Sequence, residues 1–121
     1  MKRIVSASFV LAAALVAVAV AFGATTLAIS ADKSGKLAYS KKTLLAKPGK
    51  VTITMKNPQI LKHDIAIKLK RSSKKPIAKG PIVGKGKTSK VTASLKARSY
   101  IFYCTVPGHE AAGMWGVLKV K

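Results

Sequence analysis

Apolar and polar residues alternate one by one from Val51 to Lys56 (Val-Thr-Ile-Thr-Met-Lys), from His63 to Lys70 and from Val91 to Leu95. A repeat of two places every second side chain on the same face, which is the pattern of a half-buried strand. After residue 30 no run carries the 3.6-residue period and end signals of a capped amphipathic helix. This alternation restricts the chain to β architectures more tightly than any other property it has.

Further strands are expected at Lys36 to Tyr39, Thr43 to Ala46, Ser99 to Thr105 and Gly116 to Val120, with one short edge strand inside the Gly- and Pro-rich stretch from Ile77 to Lys87. Pro48-Gly49, Asn57-Pro58 and Lys96-Ala97-Arg98 read as turns, and residues 71–76 as a basic loop. About seven or eight short strands separated by turn signals imply an all-β sandwich. His63 shares its alternating face with Ile65, Ile67 and Leu69 and is expected to point into the core. Met55, in phase with Val51 and Ile53, reads as core.

The N-terminus differs. Met1-Lys2-Arg3 is followed by a run from Ile4 to Ile29 that is apolar or small apart from Ser6, Ser8, Thr25 and Thr26. This is expected to form one hydrophobic helix, either a secretory signal cut near Thr26-Leu27-Ala28 or Ala28-Ile29-Ser30, or a membrane anchor over residues 4–29. The expected organisation is a signal or anchor at 1–30, a polar linker at 31–35 and one folded domain at 36–121. Either version exports the domain, leaving Lys2 and Arg3 in the cytoplasm.

The chain has 23 Lys and Arg against three acidic residues, a formal charge of +20. Such a charge attracts anionic surfaces. Export, few aromatics and dispersed lysines argue against nucleic acid as the partner. The single cysteine, Cys104, excludes an internal disulfide and a dithiol redox role. A lone thiol in an exported protein calls for an explanation, and metal ligation provides one.

Cys104 opens the segment Cys-Thr-Val-Pro-Gly-His-Glu-Ala-Ala-Gly-Met, which holds one of only two histidines, His109, and one of three methionines, Met114. The other histidine is His63. A thiolate, two imidazoles and a thioether are the soft donors that select copper, and a trigonal His2Cys set with a distant Met accepts both Cu(I) and Cu(II). The residues therefore point to a copper site of His63, Cys104, His109 and Met114. Pro107-Gly108 would bend the loop back towards His109, and Gly113 would bend it again before Met114. Zinc would prefer a fourth Cys, His or carboxylate to a thioether, and Glu110 points away from His109 if alternation persists. A cysteine nucleophile paired with His109 would lack an orienting third group other than Asp64. Taken singly, each of these side chains could equally be core filler.

Phe102-Tyr103-Cys104-Thr105-Val106-Pro107-Gly108-His109 followed by Met114-Trp115-Gly116 resembles the copper loop of the cupredoxins, the small blue-copper proteins of the plastocyanin, azurin and auracyanin type. Lys47 to Ile53, Asn57-Pro58 and His63 resemble the N-terminal half of that family. The resemblance covers about residues 36–121. It implies an eight-stranded Greek-key sandwich with copper at one end, shuttling single electrons between larger redox complexes. Two departures stand out. Many members place Asn after the first histidine, where it ties the two ligand loops together; here the residue is Asp64, which accepts hydrogen bonds but, when ionised, cannot donate them. Many members are also acidic or near neutral.

The expected function is outer-sphere electron transfer outside the cytoplasm by a monomer; the resemblance implies that electrons pass through a His109 edge nearest solvent, here framed by Pro107, Ala111, Ala112, Gly113, Pro58, Ile60 and Leu61. Its lysines would steer an acidic redox protein partner, with an anionic membrane or envelope surface as a further contact. Copper delivery without redox shuttling, and a basic binding module for anionic polymers, are the competing readings. An enzyme is not expected, because four protein ligands leave no open position for substrate.

Overall fold

The computed structural model describes residues 8, 10–14 and 23–121. Eight strands are present: β1 (Ala24–Ser30), β2 (Thr43–Ala46), β3 (Gly49–Lys56), β4 (Ala66–Lys68), β5 (Ala78–Lys79), β6 (Thr88–Leu95), β7 (Arg98–Tyr103) and β8 (Trp115–Val120). They form a three-stranded sheet ordered β1-β3-β6 and a five-stranded sheet ordered β2-β8-β7-β4-β5. β1 runs parallel to β3 and β2 parallel to β8, while the other pairings are antiparallel.

The alternating segments behave as their pattern requires. In β3, Val51, Ile53 and Met55 are fully buried, and the residues between them turn outward. Leu118 and Val120 of β8 face the same core, which also holds Phe102, Ile65 and Ile67. Each such side chain contributes about 1.5–3 kcal/mol when withdrawn from water. Phe102 pairs across the sheet with Gly116. A Cβ at Gly116 would lie 2.2 Å from the Phe102 ring, so only glycine leaves room for the ring.

Several expectations are corrected. The folded domain takes in Ala24–Ser30, upstream of the start expected at residue 36. β1 lies in full register with β3, from Ala24 opposite Lys50 to Ser30 opposite Lys56, and Ile29 is buried. Thr25, Leu27 and Ile29 face inward in alternation, but the small Ala and Thr residues between them hide that period in an apolar run. A cut near Ala28 or Ser30 would remove this strand. Residues 31–35 are likewise no free linker: Ala31 is fully buried and bridges Tyr39, and Asp32 accepts hydrogen bonds from the Ser34 amide and hydroxyl. Finally, His63 to Lys70 is not one alternating strand. Only Ala66–Lys68 is regular, every residue from His63 to Lys68 is buried, and Leu69 is exposed. Both faces are covered there because Lys68 and Ala66 pack outside the sheet while Ile65 and Ile67 pack inside. Lys36 to Tyr39 forms only the single bridge at Tyr39.

The expected N-terminal helix falls largely on residues 1–7, 9 and 15–22, outside the described residues. Among the described residues no helix is long and apolar enough to cross a membrane.

Candidate metal centre

Six polar or charged side chains are buried among the described residues, and Asn57, Gln59, His63 and Asp64 crowd into one short stretch of chain. Buried polar groups require partners, so such crowding marks a built site. The stretch leaves β3, folds over the end of the sandwich and enters β4. His63 bridges Val83 through backbone hydrogen bonds in both directions.

Opposite it, β7 ends at Tyr103 and Cys104 follows directly. The Cys104 amide donates to the Met114 carbonyl at 3.1 Å, and the Met114 amide donates to the His109 carbonyl at 3.0 Å. The loop is thus closed on itself by its own backbone. Its two sharp reversals use Gly108 and Gly113, with φ of 81° and 122°. A side chain would be strained at either angle, which explains the glycine at each bend.

Three donors meet between these segments. His63 Nδ1 and His109 Nδ1 are 3.1 Å apart, and Cys104 Sγ is 4.0 Å from the first and 3.7 Å from the second. The ligand atoms of His63, Cys104 and His109 all lie within 4.8 Å of one another. A cation about 2.0 Å from each nitrogen and about 2.3 Å from the sulfur would hold them roughly 3.3–3.8 Å apart. The donors therefore already stand at nearly the separations a metal needs. Met114 is fully buried beside them and belongs to the same apolar cluster as Cys104.

The protonation states define what a metal would meet. Burial, with the neighbouring His109 adding to it, lowers the His63 pKa, so this imidazole stays neutral and keeps a lone pair. Burial pushes the Cys104 thiol up to about 11, so without a cation the sulfur is protonated at neutral pH. A metal would displace that proton.

Asp64, which stands where many members of the cupredoxin family have Asn, is fully buried. Its Oδ1 accepts the Thr105 amide at 2.7 Å and its Oδ2 accepts the Thr105 hydroxyl. Lys79 Nζ lies 3.5 Å from Oδ2. The carboxylate thus ties the two donor segments together by accepting alone. Glu110 is turned away from the donors: its oxygens lie 2.9 and 2.7 Å from Lys68 Nζ, and Arg71 Nε is 3.2 Å away. The Lys68 ammonium sits over the Tyr103 ring and the Arg71 guanidinium over Trp115. Glu110 thus braces the outer side of the loop and offers no fourth ligand to zinc.

His109 is only half-buried, whereas His63 is fully enclosed. Pro107, Ala111 and Ala112 of its loop are exposed, as are Ile60 and Leu61. Sequence reasoning passed over Gln59, whose side chain contacts His63. Its only signal was an amide between Pro58 and the apolar pair Ile60-Leu61.

The sequence matches the family of copper-binding proteins of plastocyanin/azurin type over residues 25–121. Among solved structures, dithionite-reduced auracyanin from Roseiflexus castenholzii is similar, with 28% identity and a TM-score of 0.70 over 82% of this chain and 99% of that one. Auracyanin A, a "blue" copper protein from Chloroflexus aurantiacus, gives 26% identity and a TM-score of 0.69 over 82% of this chain and 100% of that one. An azurin from Methylomonas sp. strain J, 18% identical over 81% of this chain and 97% of that one with a TM-score of 0.60, shares the fold. A search of curated proteins yields no match.

Proposed function

The chain belongs to the plastocyanin/azurin family of copper-binding proteins, and on that premise we propose that it is a type 1 copper electron carrier whose metal is held by His63, Cys104, His109 and Met114. The observation that carries this reading is the convergence of two imidazole nitrogens and one thiol sulfur within 4.8 Å, on a loop that also delivers a buried methionine. Bound copper would supply a one-electron couple between Cu(I) and Cu(II), which this soft donor set suits.

The protein's own residues supply the rest. Cys104 releases its proton on loading, and the Asp64–Thr105 tie keeps the two donor segments at fixed separation. His63 is sealed from water, so exchange with a partner runs through the half-buried His109 edge and its frame of exposed Pro107, Ala111 and Ala112. Four protein ligands leave no place for a substrate, which favours a carrier over an enzyme.

The charge supports an acidic redox protein as partner. Of the three carboxylates, Asp64 is buried and Glu110 is held by Lys68 and Arg71. An almost uniformly cationic surface steers an acidic partner and slows association as salt rises. It also suits a monomer resting against an anionic membrane or envelope surface. The apolar run upstream of β1 supports export, as a leader or anchor that ends before Ala24.

Adding Cu(II) to the purified apo-protein tests the centre. An intense thiolate-to-copper absorption that disappears in Cys104→Ser is expected, and a colourless product overturns the reading. Copper hand-over to an apo acceptor that outpaces electron exchange would overturn the carrier role while leaving the site intact.

A further inference from the structure

Gln59 is 7% exposed, and both polar atoms of its side chain are hydrogen-bonded. Its Nε2 donates to the Asp32 carbonyl at 2.7 Å and to the Lys36 carbonyl at 2.9 Å. Two carbonyls facing one end of the amide determine which end is nitrogen, so Oε1 must face the other way. There it lies 2.7 Å from His63 Nε2. The backbone around Gln59 is held equally firmly. Its amide donates to Asn57 Oδ1 at 2.9 Å, and Asn57 Nδ2 donates to the Leu61 and Val83 carbonyls.

An amide oxygen only accepts, so the hydrogen between Gln59 and His63 must reside on His63 Nε2. That leaves Nδ1 bare, and Nδ1 is the nitrogen turned towards His109 and Cys104. The opposite tautomer would place a hydrogen where the metal belongs and leave two acceptors, Oε1 and Nε2, facing each other in a buried site.

We propose that Gln59 is a positioning residue that holds His63 in the Nε2–H tautomer and sets its ring plane for metal binding through Nδ1. The proposal rests on the copper reading above and adds the anchor on the ligand's far side. It also gives the turn from Asp32 to Lys36 a function, because its carbonyls orient the amide. A turn remote in sequence from every donor thus helps to aim the first imidazole.

The test has one arm without metal and one with it. In the full-length apo-protein, at a pH where both imidazoles are neutral, long-range nitrogen–proton NMR should show His63 protonated at Nε2 alone. In Gln59→Leu the Nδ1–H form should become populated, and Cu(I) affinity, measured by competition with a chromophoric chelator, should fall about 10–100-fold. A wild-type His63 protonated on Nδ1 overturns the proposal, whether or not the variant folds. So does a folded Gln59→Leu protein with the same tautomer and an affinity within about twofold of wild type. A wild-type protein that takes up no copper yet shows the Nε2–H tautomer would overturn the copper reading instead, since the first arm uses no metal.

Discussion

Replacing Asp64 with alanine should be among the most damaging single changes near the metal centre. The wild-type carboxylate is fully buried and accepts two hydrogen bonds from Thr105, the amide at 2.7 Å and the hydroxyl. A hydrogen bond to a charged group contributes about 1.5–3 kcal/mol. Truncation removes both and strands the Thr105 amide, which sets the gross loss near 3–5 kcal/mol. Lys79 alters this little, because its side chain is 42% exposed and water screens the 3.5 Å pair to under about 1 kcal/mol. Asp64→Asn should be much milder, about 1–2 kcal/mol. The amide oxygen can still accept from the Thr105 amide, and the hydroxyl can rotate to accept from the new NH2. Urea unfolding of the apo-protein, followed by fluorescence of the single tryptophan, measures all three proteins. A double-mutant cycle with Thr105→Val should return a coupling above about 1.5 kcal/mol. An Asp64→Ala protein within about 1 kcal/mol of wild type, or equal costs for Asn and Ala, would show that Asp64 does not tie the loop through Thr105.

Two other outcomes follow from the same contacts. Glu110→Gln should destabilise by about 1–3 kcal/mol, because the Lys68 side chain, 4% exposed, loses its counter-charge; adding Lys68→Met should recover part of the loss in denaturant titrations, with the copper absorption unchanged throughout. Raising the pH should weaken the apo-protein across the window from 9 to about 11: the unfolded thiol loses its proton first while burial keeps Cys104 protonated in the fold, so the folded state binds more protons there and stability declines as pH climbs. Unfolding midpoints compared with Cys104→Ala, which should lack this component, check the sign.

Where side chains announce themselves by period or rarity, the chain was readable. Val51, Ile53 and Met55 alternate with polar residues that differ sharply in hydropathy, and the strand is where the pattern puts it. Ala24 to Ser30 carries the same period, but Ala and Thr differ too little for the alternation to show, and the neighbouring apolar residues absorb it. Leu69 follows the alternation of its segment yet is exposed, because the regular strand ends at Lys68. The donor set was legible for a different reason: one cysteine, two histidines and a methionine at ordered spacing leave few other combinations that bind a soft metal.

The amino-acid order by itself therefore determined the β class, the excess of positive charge and the inventory of soft donors, since each follows from residue type and short-range spacing. Tertiary structure alone decided that β1 belongs to the domain, that Asp64 ties the donor loop by accepting, that Glu110 is committed to Lys68 and Arg71, and that Gln59 stands behind His63. Each of these depends on which atom meets which across a turn or between two sheets. Directional hydrogen bonds between residues far apart in the chain leave no periodic trace along it, so only the folded geometry could reveal them.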